Sequence, residues 1–412
     1  MKKAQLLPFD VGDRCEIRLT DLTYSADALG RIDGVVAFVK GGAPGDTACV
    51  EITEKKKRHL RAKITKLISP SPDRCVPGCA HFVEGCGGCQ WQHISYDLQL
   101  RLKREAIEAQ LREYPSLISA VVSSTRAAPA PFNYRNHARF TVRFGGQLGF
   151  SNRITRRFVR IDECMIMDDG INDALTKLQD KAVETTNLSV RYGVNTGDRL
   201  IQPDLQEADL AVTSGQTHYV EELLERPFRV ASPSFFQVNT RQAERLVLLI
   251  RERLDLTGVE TVVDAYSGVG IFAILLAPYV RKSIAIEESH AAITDAMENA
   301  GDLQNVVFVE AKTEHAMTSL VTEYDLDGPP DAVILDPPRV GCQREALDAL
   351  LEMRPRKVVY VSCDPPSLAR DLDILVGSGY KLDTVEPVDM FPQTYHVECV
   401  ATLSASPEAR IA

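Results

Sequence analysis

From about residue 236 onward, short apolar runs alternate with stretches of helical periodicity, and this alternation restricts the fold more than any other feature of the chain. The apolar runs occupy residues 261–264, 283–287, 332–336 and 358–362, and a helical pattern over Thr240–Leu254 precedes them. Strands that alternate with helices form a parallel sheet with helices on both faces. The pattern therefore predicts an α/β domain with a doubly wound sheet over residues 236–412.

Two regions with a different character precede this domain. Residues 1–68 show apolar–polar alternation between glycine-containing turns and carry a basic run at 55–58, which predicts a small β-barrel of a kind often used to hold RNA. Residues 69–235 combine a proline-containing linker, a cysteine-rich segment, an amphipathic helix over about 97–114 and a strand-rich part from 126. We therefore expect three domains, with boundaries near residues 68 and 235.

Composition narrows the class of protein further. The 412 residues are 44% hydrophobic and 25% charged, which is typical of a globular protein with a substantial core. No apolar run approaches the roughly 20 residues that span a bilayer, and the N-terminus shows no secretory signal, so we expect a cytoplasmic protein without a membrane partner. In a reducing compartment the ten cysteines are expected to bind metal, act in catalysis or lie buried, rather than form disulfides.

The first strand of the predicted sheet leads into a glycine loop. Asp264 begins the motif D-x-x-x-G-x-G with Gly268 and Gly270, and the second strand ends at Glu287, about 20 residues further on. Ligands bind at the carboxyl ends of such strands, where glycines allow a tight turn and an acid can accept hydrogen bonds from a ribose. Because the dinucleotide fingerprint G-x-G-x-x-G is absent, this motif favours S-adenosylmethionine over NAD.

Two later segments supply reactive side chains. Asp336-Pro337-Pro338 is followed by Arg339, whereas amino-methyltransferases place an aromatic residue there, which counts against methylation of an exocyclic amine. Cys363 follows the next strand and is either a small buried residue or a nucleophile. Glu398 is either a surface acid on an edge strand or a base. Together, a thiolate that adds to C6 of uracil and a carboxylate that removes the C5 proton make a coherent C5 methylation chemistry.

In combination, these motifs resemble the bacterial RNA uracil-C5 methyltransferases, most of all the 23S rRNA branch that carries a TRAM domain and an iron–sulfur cluster. The similarity covers essentially the whole chain, including residues 234–239, 336–339, 362–365 and 390–392. It implies a Rossmann-like class I methyltransferase domain in which Cys363 is the nucleophile and Glu398 the general base. It also implies that the cofactor contacts include Gln237, Tyr266, Glu287 and Asp336. One departure is Asp364, which stands where the family often has asparagine.

The cysteine-rich segment is a candidate metal site. Cys86 and Cys89 form a Cys-x-x-Cys motif with two glycines between them, and this spacing alone suits zinc or an iron–sulfur cluster. The resemblance favours a structural [4Fe-4S] cluster in a β-rich central domain, with the ligands Cys79, Cys86, Cys89 and Cys164. Because the spacing from Cys79 to Cys86 is one residue longer than usual, Cys75 is an alternative first ligand.

An arginine-rich stretch points to a polyanionic partner. Residues 126–160 contain eight arginines and no acidic residue, interleaved with aromatic side chains, in a chain whose net charge is −10. The pattern fits a sheet with aromatics in the core and arginines in water, an RNA-binding surface, or both at once. A uracil must leave a duplex to enter a pocket, so we expect a target in a loop or a flipped-out base.

The predicted barrel favours one class of RNA substrate. A TRAM-like domain is typically missing from the transfer-RNA branch of the family, so 23S rRNA is favoured, with tRNA or another rRNA uridine as the alternative. Cytosine-C5 methylation is a further rival with similar thiolate chemistry, and a non-catalytic iron–sulfur RNA-binding protein is a rival of another class. We expect a monomer without an obligate protein partner.

Overall fold

The computed structural model describes residues 8–23, 27–206, 210–323 and 328–405. The chain divides into two compact units. The first holds the residues up to Ala106 together with Ser151–Val159 and Pro392–Tyr395, and the second holds Ile107–Phe150, Arg160–Phe391 and the residues from His396 onward. Within the described ranges no helix is long and apolar enough to cross a membrane. The sequence-based domain boundaries near residues 68 and 235 stay a prediction.

A small closed β-barrel forms in the first unit, as the sequence predicts. Its strands are β1 (Arg14–Leu22), β2 (Asp27–Ile32), β3 (Val35–Lys40), β4 (Thr47–Lys55) and β5 (His59–Ser69), closed in the order β1-β2-β3-β5-β4. Alternate residues such as Ile17, Leu19 and Val50 fill its interior. A side chain at Gly30 would begin 2.5 Å from the Arg18 carbonyl oxygen, so this strand crossing requires glycine.

Two helices follow the barrel along the chain, α1 (Ala80–Val83) and α2 (Tyr96–Leu111). The sequence places the end of the second helix near residue 114, but the structure ends it three residues earlier. Tyr114 is extended (φ −113°, ψ 120°). The residue before a proline avoids helical geometry, and Pro115 therefore stops the helix.

The strand-rich part predicted from residue 126 forms two sheets. A five-stranded sheet has the order β10-β9-β6-β7-β8, and a hairpin is made of β11 and β12. The elements are β6 (His137–Arg143), β7 (Gln147–Ser151), β8 (Phe158–Arg160), α3 (Asp169–Leu178), β9 (Asn187–Tyr192), β10 (Arg199–Gln202), β11 (His218–Leu223) and β12 (Arg226–Ala231). Phe140 is fully buried and belongs to the core, and it stacks on the partly buried Phe150 at 5.2 Å between ring centroids.

The predicted doubly wound sheet is confirmed and has seven strands, in the order β15-β14-β13-β16-β17-β19-β18. Its elements are α4 (Thr240–Leu254), β13 (Thr261–Ala265), α5 (Ile271–Leu276), β14 (Lys282–Glu287), α6 (His290–Ala300), β15 (Val306–Glu310), α7 (Thr313–Glu323), β16 (Ala332–Leu335), α8 (Arg344–Met353), β17 (Lys357–Ser362), α9 (Pro365–Gly377), β18 (Tyr380–Val388) and β19 (Glu398–Ala405). The strands from β15 to β17 are parallel, and β19 runs antiparallel between β17 and β18.

This topology collects polar side chains at one edge of the sheet. Asp336 and Cys363 directly follow β16 and β17, whose carboxyl ends meet at the same edge. Because β19 runs the other way, its first residue, Glu398, lies at that edge too. The register pairs Ser362 with Cys399, which makes Cys363 and Glu398 the next positions of the two neighbouring strands.

Candidate active site

The glycine loop after β13 has a left-handed backbone at three positions. Tyr266, Gly268 and Gly270 have φ values of 70°, 54° and 85°. A Cβ at Gly270 would lie 2.7 Å from Ile274 Cδ1 and 3.3 Å from Ala296 Cβ, so this turn into α5 requires glycine on steric grounds as well. At Gly268 a Cβ would meet nothing within 4 Å, which leaves open space beside the loop.

The loop is held against the end of β14 by a carboxylate. Glu287 accepts hydrogen bonds from the amide of Gly268 at 2.9 Å and from the amide of Ser289 at 2.7 Å. These bonds fix the predicted ribose-binding acid beside the predicted cofactor loop.

Buried acceptors at this site fit S-adenosylmethionine. Asp264 is fully buried, and its Oδ2 accepts from the amide of Ala273 at 2.9 Å. Its Oδ1, like the buried Oγ of Ser267, has no hydrogen-bond partner among the described residues. Burial, helped by the neighbouring Asp336, raises the pKa of Asp264 to about 8. A buried acid and an unused acceptor favour a ligand that brings cationic and N–H groups, as the sulfonium and ammonium of S-adenosylmethionine do.

Cys363 was predicted to act together with the carboxylate of Glu398, and in the structure the two residues lie at the same edge of the sheet. Glu398 is only 5% exposed and begins the interior strand β19, so it is not a surface acid on an edge strand. Burial raises the pKa of the Cys363 thiol to about 11, and the Glu398 carboxylate contributes to the rise. Burial also raises the pKa of Glu398 well above its usual value, with Asp336 as a second cause. The pocket therefore disfavours two negative charges at once.

Arg339 is the positive group of this cluster. It is exposed, lies within hydrogen-bonding reach of the Cys363 thiol, and opposes the rise in the pKa of that thiol. It likewise opposes the rise in the pKa of Glu398. Asp336 keeps some solvent-accessible surface, but the surrounding protein desolvates its carboxyl group and raises its pKa to about 7. The guanidinium therefore favours the thiolate form of Cys363.

Gln237 is the predicted cofactor contact that lies outside the seven-stranded sheet. It is buried, and its carbonyl oxygen accepts from the side-chain amide of Asn136 at 3.0 Å. Asn136 in turn donates to the hydroxyl of Thr240 at 2.9 Å. The start of α4 and the start of β6 thus fix the Gln237 backbone.

A buried acid behind the site was not predicted from the sequence. Asp371 on α9 is fully buried and accepts from the Tyr360 hydroxyl at 2.6 Å and from the Cys342 amide at 2.9 Å. These bonds tie the helix that follows Cys363 to the loop that follows Arg339. The signal was present, because Asp371 falls on the apolar stripe of α9 formed by Leu368, Leu372 and Leu375. An acid on such a stripe needs buried partners.

The predicted metal ligands are divided between the two compact units, with Cys79, Cys86 and Cys89 in the first and Cys164 in the second. Cys79 precedes α1, and the Cys86 amide donates to the His81 carbonyl at 2.8 Å. The alternative ligand Cys75 also lies in the first unit and is exposed. Nowhere in the described ranges do three or more His, Cys, Asp or Glu residues lie together so that they could hold a metal ion.

The arginines of residues 126–160 occupy several environments. On β6, Arg139 and Arg143 are exposed and alternate with the buried Phe140 and Val142, as expected for a sheet with one solvated face. The cross-strand partner of Arg139 is the uncharged Ser189. Burial, with Arg191, Arg135 and Arg139 as further causes, lowers the pKa of His137 to about 3, which reflects the concentrated positive charge here.

Other arginines of this stretch are engaged within the protein. In the first unit, the Arg153 guanidinium lies 4.5 Å from the Phe82 ring centroid. In the second unit, Arg160 pairs with Asp162 and Asp180, and Arg126 pairs with Glu386. The β6 face is therefore the part of the stretch best suited to a polyanion.

Two family models match the chain. The model described as tRNA (Uracil-5-)-methyltransferase matches residues 216–406, which include the whole seven-stranded sheet. The model described as TRAM domain matches residues 8–65, which include the first four strands of the barrel and most of β5.

Relatives match over nearly the full length. An uncharacterized RNA methyltransferase of Synechocystis sp. is 32% identical over 452 residues, covering 96% of this chain and 96% of the relative. Another, of Gloeobacter violaceus, is 34% identical over 454 residues, covering 96% of this chain and 97% of the relative. The structure of the Pyrococcus abyssi tRNA (uracil-54, C5)-methyltransferase in complex with S-adenosyl-L-homocysteine has a TM-score of 0.71 and 27% identity, covering 94% of this chain and 100% of its own.

Proposed function

Since the chain belongs to the RNA (uracil-5-)-methyltransferase family, with an N-terminal TRAM domain, we propose that it methylates C5 of a uridine in 23S rRNA through a covalent adduct with Cys363. The family members use S-adenosylmethionine as methyl donor, and the buried acceptors beside the glycine loop suit that molecule. One observation supports the covalent adduct. Cys363 and Glu398 lie opposite each other at one edge of the sheet, and Arg339 is within hydrogen-bonding reach of the thiol.

The reaction uses the two residues in turn. The Cys363 thiolate adds to C6 of the uracil, and the electron pair of the C5–C6 bond makes C5 nucleophilic. S-adenosylmethionine, when bound, supplies an electrophilic methyl group to C5. Glu398 then removes the remaining C5 proton, and the electrons of that C–H bond restore the C5–C6 double bond as the Cys363 sulfur leaves.

The charges of the pocket order these steps. Cys363 and Glu398 repel each other when both are ionised, so the free enzyme holds one negative charge between them more readily than two. Formation of the carbon–sulfur bond moves the thiolate charge onto the uracil as an enolate, and this charge is lost when C5 takes up the electrophilic methyl group. No negative charge then remains on the sulfur or the uracil to oppose ionisation of Glu398, and the carboxylate can act as a base when the C5 proton must leave.

The cofactor contacts stay proposals at the level of single residues. The acceptors are Asp264 and Glu287, and the glycine loop supplies close backbone approach. The full proposed set is Gln237, Asp264, Tyr266, Gly268, Glu287 and Asp336. Equilibrium binding of S-adenosylhomocysteine to a Glu287→Gln variant tests the ribose contact without any RNA present.

A [4Fe-4S] cluster on Cys79, Cys86, Cys89 and Cys164 is the second cofactor that we propose, and it rests on the sequence motif rather than on an assembled ligand set. Iron and sulfide content of protein purified without oxygen tests it. We expect Cys86→Ser to lose both and the barrel variant Cys49→Ser to keep both. If Cys75→Ser loses iron while Cys79→Ser keeps it, the first cluster ligand is Cys75 and not Cys79.

Two observations bear on the RNA. The TRAM domain supports 23S rRNA, whereas the Pyrococcus abyssi tRNA (uracil-54, C5)-methyltransferase, which covers 94% of this chain, supports tRNA as the second candidate. The exposed arginines of β6 suit either RNA. We further propose that residues 1–68, 69–235 and 236–412 form the RNA-binding barrel, the central domain and the catalytic domain.

The test is a trapping experiment with 5-fluorouridine. Fluorine cannot leave C5 as a proton does, so methyl transfer should stop at a Cys363–C6 adduct. We expect a protein–RNA band on a denaturing gel that requires S-adenosylmethionine and disappears in Cys363→Ala. The matched control is Cys342→Ala, which removes another thiol of the same unit. No band with rRNA or tRNA fragments that the protein binds would refute the covalent mechanism, and a band with only one RNA would identify the substrate.

A further inference from the structure

A cleft beside α4 is not used by the reaction described above. It has a volume of about 470 Å³, within the size range of small-ligand sites. Its wall is apolar, with Leu248, Leu249 and Val388, and its polar lining includes Arg126, Gln242 and Arg245. All of these residues belong to the second unit.

Gln242 lines the cleft and carries an unused hydrogen-bond acceptor. Gln242 is 1% exposed, and its Nε2 donates to the carbonyl oxygen of Arg126 at 3.3 Å. That bond orients the amide and leaves Oε1, which has no partner among the described residues. A buried acceptor without a donor raises the free energy of the folded protein, so a ligand with an N–H group would be favoured here.

The rim of the cleft carries positive charge. Arg245 is exposed and donates to the carbonyl oxygen of Ala127 at 3.3 Å, which uses one of its five N–H groups. Arg126 donates to Glu386 at 2.8 Å, and Glu386 is shared with Arg253. The acid that lines the cleft, Glu252, is bonded to Arg253 at 2.9 Å. The guanidinium groups of Arg245 and Arg126 therefore remain suited to an anion at the rim.

The cleft adjoins the proposed active site through the backbone. Val388, on its wall, is the cross-strand partner of Glu398. Asn239 caps α4 by accepting from the Gln242 amide at 3.2 Å, and its side chain donates to the Met390 carbonyl at 3.2 Å. A ligand in the cleft thus lies next to the strand that carries the proposed base.

We propose that this cleft binds a nucleotide that flanks the target uridine, whose base bears an exocyclic amino group. The amino group donates to Gln242 Oε1, the base lies against the apolar wall, and a phosphate contacts Arg245 and Arg126. A nucleotide combines the donor, the flat apolar face and the anion that the three features require. This inference rests on the proposed function, because it assigns the ligand to the same RNA.

The phosphate contact is tested by salt dependence. Fluorescence anisotropy measures the affinity of labelled twelve-nucleotide oligoadenylate over a range of salt concentrations. We expect Arg245→Met to reduce the slope of log affinity against log salt by about 0.7, the value for one phosphate contact on a single strand. The matched control is Arg251→Met, on the same helix, because Arg251 stacks on Tyr279 and does not line the cleft. Equal slopes for the two variants would overturn the phosphate contact.

The base contact is tested by removing the amino group from the RNA. An oligomer of purine riboside equals oligoadenylate without its exocyclic amine, and we expect the wild type to bind it about two- to tenfold more weakly. Gln242→Met should abolish the difference while keeping the salt slope. Ala127→Trp, at an exposed position on the rim, should weaken both oligomers by filling the cleft. Discrimination that survives in Gln242→Met, or is absent from the wild type, would overturn the proposal.

Methyl transfer measured on the same proteins separates the two hypotheses. If the wild type methylates RNA while the cleft variants bind both oligomers like the wild type, only the cleft assignment fails. If the cleft variants change binding as expected while the wild type transfers no methyl group to any uridine, the proposed reaction fails and the nucleotide site stands.

Discussion

Replacing Glu398 with glutamine removes the buried carboxylate at the sheet edge but keeps the shape of its side chain. Because Glu398 helps to raise the pKa of Cys363, its loss should lower that pKa and leave the formation of the Cys363–C6 bond intact. Removal of the C5 proton should fail instead. The variant is therefore expected to stop after methyl transfer, with the methylated RNA still bonded to the protein.

The size of the effect follows from the role of a general base. Such groups contribute about 10²- to 10⁴-fold to a rate, which corresponds to roughly 2.7–5.4 kcal/mol of transition-state free energy. Glu398 is 5% exposed, so little water is available to replace it, and we expect the upper part of that range.

Stability should change in the opposite direction from activity. The folded-state pKa of Glu398 lies above its unfolded value, so the folded protein binds this proton more tightly. The free energy of unfolding of the wild type therefore falls as the pH rises from about 4.5 towards the folded pKa, because the buried group must ionise. Glutamine carries no such penalty, and Glu398→Gln should be at least as stable as the wild type at pH 8.

Two assays check these expectations. Single-turnover transfer of tritiated methyl groups to ordinary RNA, followed by a denaturing gel, should show label retained on a protein–RNA band without any fluorinated base. Urea unfolding at pH 5 and pH 8 measures stability. Turnover within tenfold of the wild type, or free methylated RNA with no covalent band, would refute the assignment of Glu398 as the base.

Four further substitutions have expected outcomes. Arg339→Gln should move the pH profile of Cys363 alkylation to higher pH, because the thiolate loses its positive neighbour; an unchanged profile, read by peptide mass spectrometry, would count against that role. Gly270→Ala should destabilise the protein by about 2–4 kcal/mol from the left-handed backbone and the overlap at 2.7 Å, whereas Gly268→Ala, with open space around its Cβ, should cost about 1–2 kcal/mol in urea unfolding. Asp371→Ala should cost about 2–6 kcal/mol by leaving two buried donors unpaired, and a loss below 1 kcal/mol in the same measurement would contradict that network.

Much of the catalytic domain could be predicted from sequence because its signals are local. The helix at Thr240–Leu254 has the predicted bounds, and the four predicted strands of the parallel sheet differ from the observed ones by a residue at most. Continuous apolar runs of this kind are typical of strands that are buried on both faces of a parallel sheet. The glycine loop is equally local, since its turn is set by the conformational needs of Gly268 and Gly270.

The remaining features depend on contacts between distant parts of the chain. Glu398 reads as an edge-strand acid in sequence, and only the insertion of β19 between β17 and β18 buries it. The unused acceptor of Gln242 arises because its amide is held by the Arg126 backbone, 116 residues away. Sequence periodicity does not predict contacts between residues so far apart in the chain.

The antiparallel strand β19 also determines how the site can move. Glu398 begins β19, and Cys363 directly follows β17. Backbone hydrogen bonds join β17 to β19, and β19 is paired on its other side with β18. Amide protons along this ladder should therefore exchange with deuterium only on global unfolding. Opening of the site to admit a nucleotide is therefore expected to come from the loops at this sheet edge rather than from separation of β17 and β19.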